Sequence, residues 1–411
     1  MKALVLAGGY PQIALIKELQ SRGIFVVLAD WNKEPVAKKY ADKYYQASTL
    51  DVEAIKNIAI DEKVDFVLTV CTDQALHTVA KVSEELGLPC YIDYKTALNV
   101  TNKQYMKDVF VKNGIPTAKH IIIDEFDESA VEGFRFPLIV KPVDCNSSKG
   151  VVKVTDKSLL KSVFESSKNM SRTKTAIIEE FIEGTELSVD AYVENGISTV
   201  LSVSISEKIK DNEKFVIFRS LSPVRLSDAL NKQISETVQK IATAFGLKDT
   251  PMLVQMLSDC ENAFVIEFSA RTGGGVKYLL VKNASGFDVI KAVVDLTLGE
   301  KPHVGEIKRE HFFHSNEFIY CKPGVFDHLE GFEELKQKGV IKDYYLFKWQ
   351  GAEFDGISNS GDRIAGFTVV GDTFDELYNN HLAANETMKV IDVDGNDMMR
   401  HDLLAEFKPW Y

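Results

Sequence analysis

The first hundred residues restrict the fold more than any other part of the chain. Short β-branched runs at 3–6, 25–29 and 66–70 alternate with amphipathic stretches at 13–19 and 52–60. Runs this short suit buried strands, and the amphipathic stretches have the length of crossover helices. Parallel strands need such crossovers, so the rhythm predicts βαβ units around a parallel sheet. The first run ends in Ala7-Gly8-Gly9, small residues that let a backbone approach a neighbour or a phosphate. Their spacing is not that of a G-x-G-x-x-G fingerprint, and Asp30, the acid at a suitable distance, is equally a strand-end residue. A glycine turn closing a strand against a helix is the better reading.

Composition narrows the class. At roughly 150 residues per domain, 411 residues make two to three domains. With 45% hydrophobic and 26% charged residues, disorder and fibrous classes drop out. Sixty acidic against 48 basic residues give a net charge of -12, which argues against nucleic acid as partner. The five cysteines are scattered without a C-x-x-C pair, so neither a disulfide framework nor a thiolate zinc site is expected, and a cytoplasmic location is. No apolar run approaches the ~18 residues of a membrane helix, so no membrane partner is expected.

Further along, Thr101-x-x-Gln104 has the form of a capping box, and Tyr105, Met106, Val109 and Phe110 recur at helical spacing until Gly114 and Pro116. The pattern is strand-rich from Ala118, helical over 227–245 and 287–298, and then short strands and glycine turns with one helix over 373–389. Boundaries follow at 1–97, 98–300 and 301–411: α/β with a parallel sheet first, then α+β, then a β-rich C-terminal region.

Three segments carry chemistry. Phe136-Pro137-Leu138-Ile139-Val140-Lys141-Pro142 is a strand with Ile139 and Lys141 on one face, followed by the polar loop Asp144-Cys145-Asn146-Ser147-Ser148-Lys149-Gly150. A lysine beside small residues suits phosphate oxygens, although an exposed hairpin with a solvated lysine reads the same. Ile177-Ile178-Glu179-Glu180-Phe181-Ile182-Glu183-Gly184-Thr185-Glu186 leads into a strand with Glu186, Ser188 and Asp190 on one face. Such carboxylates suit a nucleoside's amine and hydroxyls, though acids flanking a turn are usually just solvated. Finally, 252–257 and 264–271 predict a hairpin about 258–262 that sets Gln255 opposite Glu267, with Glu267, Ser269 and Arg271 on one face. Phe264, Ile266 and Phe268 are expected on the other face, in the core. Oxygen ligands beside a guanidinium are what a Mg-nucleotide requires; a structural ion pair between Glu267 and Arg271 is the alternative.

Taken in order, these segments resemble the ATP-grasp superfamily over roughly residues 1–300, with weaker similarity beyond. The resemblance implies a Rossmann-like N-terminal domain, a nucleotide clamped between two α+β subdomains, and ATP with Mg2+ (or Mn2+) as cofactors. It places Lys103 and Lys141 on the phosphates, Ser147 and Ser148 in a flexible lid over them, and Lys149 and Arg271 at the transferred phosphate. Glu179 would meet the adenine amine, the backbone of Glu180, Phe181 and Ile182 its edge, and Glu186 the ribose. Gln255, Glu267 and Ser269 would take the metal positions.

Two departures stand out. The family usually writes Glu-x-Asn-x-Arg where this chain has Glu267-Phe268-Ser269-Ala270-Arg271, and Gln255 replaces a common carboxylate, as it does in the carbamoyl-phosphate synthetase branch. Ala284-Ser285-Gly286-Phe287-Asp288-Val289-Ile290 also looks like that branch and like the L-amino acid ligases, and Ser360-Gly361-Asp362-Arg363 like the closing domain of such ligases. The expected activity is an ATP-dependent ligase joining a small carboxylic acid to an amine through an acyl phosphate, with a homodimer among the assemblies open to it. A bicarbonate-activating enzyme and a non-catalytic nucleotide-binding module are the alternatives.

Overall fold

A computed structural model describes residues 1–145, 150–210 and 215–407. The N-terminal sheet has the order Lys43–Gln46, Phe25–Asp30, Lys2–Leu6, Phe66–Leu68, all parallel. Parallel sheets are covered on both faces. Here Leu4, Leu6 and Val27 meet Ile55 and Val79 of the helices Val52–Glu62 and Asp73–Leu86. Ala3, Val5 and Leu28 meet Leu15 and Ile16 of Tyr10–Ser21 on the other face, together with Ile290, Val293 and Val294 from the distant helix Val289–Thr297. The expected βαβ rhythm is present. Asp30 accepts from the Gly8 N–H at 2.7 Å, which makes it a brace for the glycine turn.

Two larger antiparallel sheets follow, and a third, of three strands in the order Glu353–Phe354, Gly324–Glu330, Lys389–Asp392, lies in the C-terminal region. The smaller of the first two has the order His120–Ile123, Ala176–Glu180, Leu138–Pro142, Val152–Val154, and packs on Leu160 and Phe164 of the helix Leu160–Met170. The larger has eight strands in the order Ala263–Ser269, Thr250–Ser258, Thr185–Glu194, Ile197–Lys208, Ile217–Ser222, Phe313–Ile319, Ala365–Gly371, Asp343–Leu346. It runs unbroken through residue 300, so the C-terminal strands extend the surface on which the central hairpin lies. Ile234, Val238 and Ile241 of the helix Asp228–Ala244 cover one face of the central strands.

Three details differ from the sequence reading. Thr101 does not cap the helix Lys103–Lys112; its hydroxyl donates back to Ala97 O at 2.8 Å as the last residue of Tyr94–Thr101, and the Asn102 side chain accepts from Tyr105 N instead. Lys277–Ser285 is a further helix, its start masked in sequence by the preceding glycine run. Register slips by one residue between Gln255 and Met256. That bulge turns Val265, not Phe264 and Ile266, into the core, while Phe268 stays there as expected. Among the described residues no helix is long and apolar enough to cross a membrane.

Candidate active site

A cleft of about 910 Å³ is lined by the two larger antiparallel sheets, by the 71–74 turn of the N-terminal unit and by Ser360, Gly361 and Arg363 of the C-terminal region. Lys141 and Glu179 project into it from neighbouring strands, Lys141 Nζ donating to Glu179 Oε1 at 2.5 Å. A second lysine, Lys107, lies 3.2 Å from Glu179 Oε2. Its Nζ donates to Thr117 Oγ1 at 2.7 Å, and Thr117 donates to Val265 O at 2.7 Å, which fixes the ammonium against the hairpin. All three charged groups are buried. Burial alone would raise the Glu179 pKa, but the two ammonium groups outweigh it and hold the carboxyl at about 2. Burial pushes Lys107 down from the ordinary lysine value. Glu179, expected to meet an adenine amine, is thus committed to two lysines.

The adjoining carboxylate points elsewhere. Glu180 accepts from Arg135 Nη2 at 2.8 Å and from Arg135 N at 3.1 Å, and Arg135 is largely exposed. Glu180, Phe181 and Ile182 all line the cleft, with the Glu180 carboxylate held by Arg135. Lys153 Nζ sits 3.9 Å from the centre of the Phe181 ring. Gly184 closes this connection: a Cβ there would lie 2.2 Å from Ser258 O, so only glycine permits the approach to the hairpin. Leu257, Phe264 and Ile266 line the same end, the last two because of the bulge. Glu186 pairs with Lys208 at 2.5 Å.

At the hairpin, Gln255 and Glu267 are direct cross-strand partners, as expected. Glu267 lies 3.3 Å from Lys103 Nζ, which also donates to Cys145 O at 2.5 Å. Arg271 donates through Nε to Asp73 Oδ1 at 2.7 Å, and its Nη2 to Asp73 Oδ2. Burial opposes ionisation of Asp73, but Arg271, with help from the Ser269 hydroxyl, holds it below the usual carboxylate range. Arg271 therefore ties the hairpin to the N-terminal unit as well as lining the cleft. Ser147, Ser148 and Lys149 lie outside the described residues. Lys107, Asp73, Lys208, Lys277 and Arg363 were not singled out as site residues from sequence. Only Lys277 and Arg363 stand beside a notable motif, the glycine run and Ser360-Gly361-Asp362.

The donors fit a hard cation. A carboxylate and a carboxamide oxygen face each other across one strand pair, the oxygen chemistry that Mg2+ accepts alongside phosphate oxygens. Among the described residues there is no group of three or more His, Cys, Asp or Glu able to hold a metal by themselves. Gln255 and Glu267 would hold such an ion, which would neutralise phosphate charge.

A lysine-rich cleft between two antiparallel sheets, with paired oxygen donors on a hairpin, has the chemistry to receive a polyanion with a hard cation. Residues 134–278 match the ATP-grasp domain family. It is 25% identical over 254 residues to a formate-dependent phosphoribosylglycinamide formyltransferase of Actinobacillus pleuropneumoniae serotype 3, covering 60% of this chain and 63% of that protein. The chain thus spans under two thirds of that relative's length. A phosphoribosylamine-glycine ligase of Caldanaerobacter subterraneus subsp. tengcongensis is 22% identical over 95% of this chain and 96% of its own. The crystal structure of an L-amino acid ligase from Bacillus licheniformis superposes with a TM-score of 0.80 at 21% identity, covering 95% of this chain and 98% of that one.

Proposed function

We propose that the protein is an ATP-dependent carboxylate-amine ligase using Mg2+. A substrate carboxylate oxygen attacks the γ-phosphorus, the bond to the ADP oxygen breaks, and an acyl phosphate forms. An amine nitrogen then attacks the acyl carbon, phosphate leaves, and the nitrogen loses a proton to give the amide. In this reading Lys141 and Lys103 bind phosphate oxygens, and Gln255 and Glu267 hold the cation. Arg271, anchored by Asp73, faces the transferred group. Positioning and fixed charge supply the catalysis.

One observation carries the reading. In a chain of net charge -12, the cleft gathers eight lysines and arginines against six acids, and the hairpin's oxygen pair lies among them. A polyanion accompanied by a hard cation is the ligand such a site selects. Ser269 favours the rival reading of a binding module, since a hydroxyl replaces the family's carboxamide. The test is incubation with Mg-ATP, hydroxylamine and pools of small carboxylic acids, reading ADP, phosphate and hydroxamate. The ligase reading requires all three from one pool. Tight ATP binding with neither ADP nor hydroxamate would put the binding module ahead, and ADP with bicarbonate alone would indicate carboxyphosphate chemistry.

A further inference from the structure

The large sheet carries a polar row beyond the metal donors. Gln255 pairs with Ser188, Ser188 with Ser204, Ser206 with Ser220, and Ser220 with Asn316, so hydroxyls and an amide replace apolar residues along one face of the central strands. Ser220 is 1% exposed, lines the cleft, and its Oγ has no hydrogen-bond partner. Buried hydroxyls are rarely left so, and one that lines a cleft has a ligand as its natural partner.

Two cations converge on this end. Lys277, buried at the start of its helix, donates from Nζ to Ser204 Oγ at 2.5 Å, which leaves it further donors. Arg363 comes from the C-terminal region. Its Nε donates to Tyr320 Oη at 3.0 Å and its Nη2 to Ile217 O at 3.1 Å, and the guanidinium lies 3.8 Å from the centre of the Phe318 ring. The group is rigidly aimed. Its Nη1 lies 3.5 Å from where a Cβ on Gly275 would sit, which places the guanidinium beside the glycine run. Among the described residues Arg363 forms no ion pair, unlike the cleft's Lys103, Lys107, Lys141, Lys208 and Arg271.

The acids nearby do not cancel this charge. Glu186 is taken by Lys208, and burial raises the Asp190 carboxyl to about 6 while lowering Lys277 to about 8. Arg363 thus remains as one full positive charge with Lys277 largely offset by Asp190, which matches a monoanion better than a phosphate dianion.

We propose that Arg363, Lys277 and Ser220 form a subsite for a carboxylate other than the one activated, so that the substrate pair includes a dicarboxylic acid or an amino acid bearing a free carboxylate. The inference rests on the ligase reading and names its substrate class. A planar carboxylate can accept from a fixed guanidinium and a hydroxyl at once.

The test is thermal unfolding of the full chain, with and without Mg-ADP, titrated with succinate, L-glutamate and L-alanine, with their amides, and with glycerol 3-phosphate. At least one free carboxylate should raise the midpoint where its amide does not. Arg363→Gln and Ser220→Ala should each weaken that response, by roughly tenfold to a hundredfold for the arginine, while the Mg-ADP shift stays unchanged. Equal response to acid and amide, an unchanged response in both variants, or silence from every probe would overturn the subsite. A response to glycerol 3-phosphate alone would replace the carboxylate by a phosphate and overturn the substrate class. Absence of any Mg-ADP shift in the unaltered protein counts against the nucleotide reading instead, and the titrations without nucleotide still decide the subsite.

Discussion

Replacing Glu179 by glutamine removes one charge from between two buried ammonium groups while keeping the side chain's size. A carboxyl that titrates at about 2 in the folded chain and near its ordinary 4.5 when unfolded stabilises the native state by about 3 kcal/mol at neutral pH, at roughly 1.36 kcal/mol per tenfold. Breaking one partner out of a buried pair independently costs about 3–5 kcal/mol. Because the folded value is depressed, the stabilisation is complete above pH 4.5 and drains away as pH falls toward 2. Glu179→Gln has no such dependence. The difference between the two proteins should therefore be about 3 kcal/mol at pH 7 and shrink steadily below pH 4.5. The chain has several units, so the readout is native-state hydrogen exchange in the strands Leu138–Pro142 and Ala176–Glu180, which carry Lys141 and Glu179. A difference under 1 kcal/mol at pH 7, or one equally large at pH 7 and pH 3, would refute the reasoning.

Two other substitutions probe the same cleft. Glu267→Gln removes the carboxylate of the proposed cation site and should abolish ADP formation with unchanged thermal stability; full turnover in the folded variant would remove Glu267 from that role. Gly184→Ala drives a methyl against Ser258 O, and separating the two segments should cost about 1–3 kcal/mol and weaken nucleotide binding; calorimetry giving wild-type ATP affinity would show that the close approach is dispensable.

Much of this arrangement is legible in the sequence because it follows from periods and pairings. The βαβ rhythm yields the parallel sheet, and the turn between the two apolar runs yields the hairpin, although its register beside the turn would set Gln255 against Ile266 and only the bulge brings Glu267 opposite. The bulge beside Met256 is invisible at that level, since strict alternation sends Phe264 and Ile266 inward, and one extra residue turns them into the cleft. Lys107 hides for another reason. It sits among apolar residues of a helix, and nothing in its neighbours announces that Thr117 and Glu179 will bind its ammonium. Arg271 is legible as a cleft residue but not as the partner of Asp73, because a contact across 198 positions leaves no local trace. Long-range charge pairing is what the sequence conceals, and this cleft is built from it.

That pairing shapes how the cleft can work. Lys103 lies against Glu267, Lys107 and Lys141 against Glu179, Lys208 against Glu186, and Arg271 against Asp73. Each charge has already met the larger part of its desolvation cost in company with an opposite charge. On the proposed reading, binding a Mg-nucleotide would be an exchange of partners: Glu267 would give up the Lys103 ammonium for the cation, and Lys103 would give up the carboxylate for phosphate oxygens. The free energy of such an exchange is a difference between similar electrostatic terms, so it depends on fit more than on total charge. A polyanion without its cation frees Lys103 but leaves Glu267 uncompensated, and a cation without phosphate leaves Lys103 unpaired. The two ligands should accordingly bind cooperatively, with the coupling carried by the single ion pair between Lys103 and Glu267.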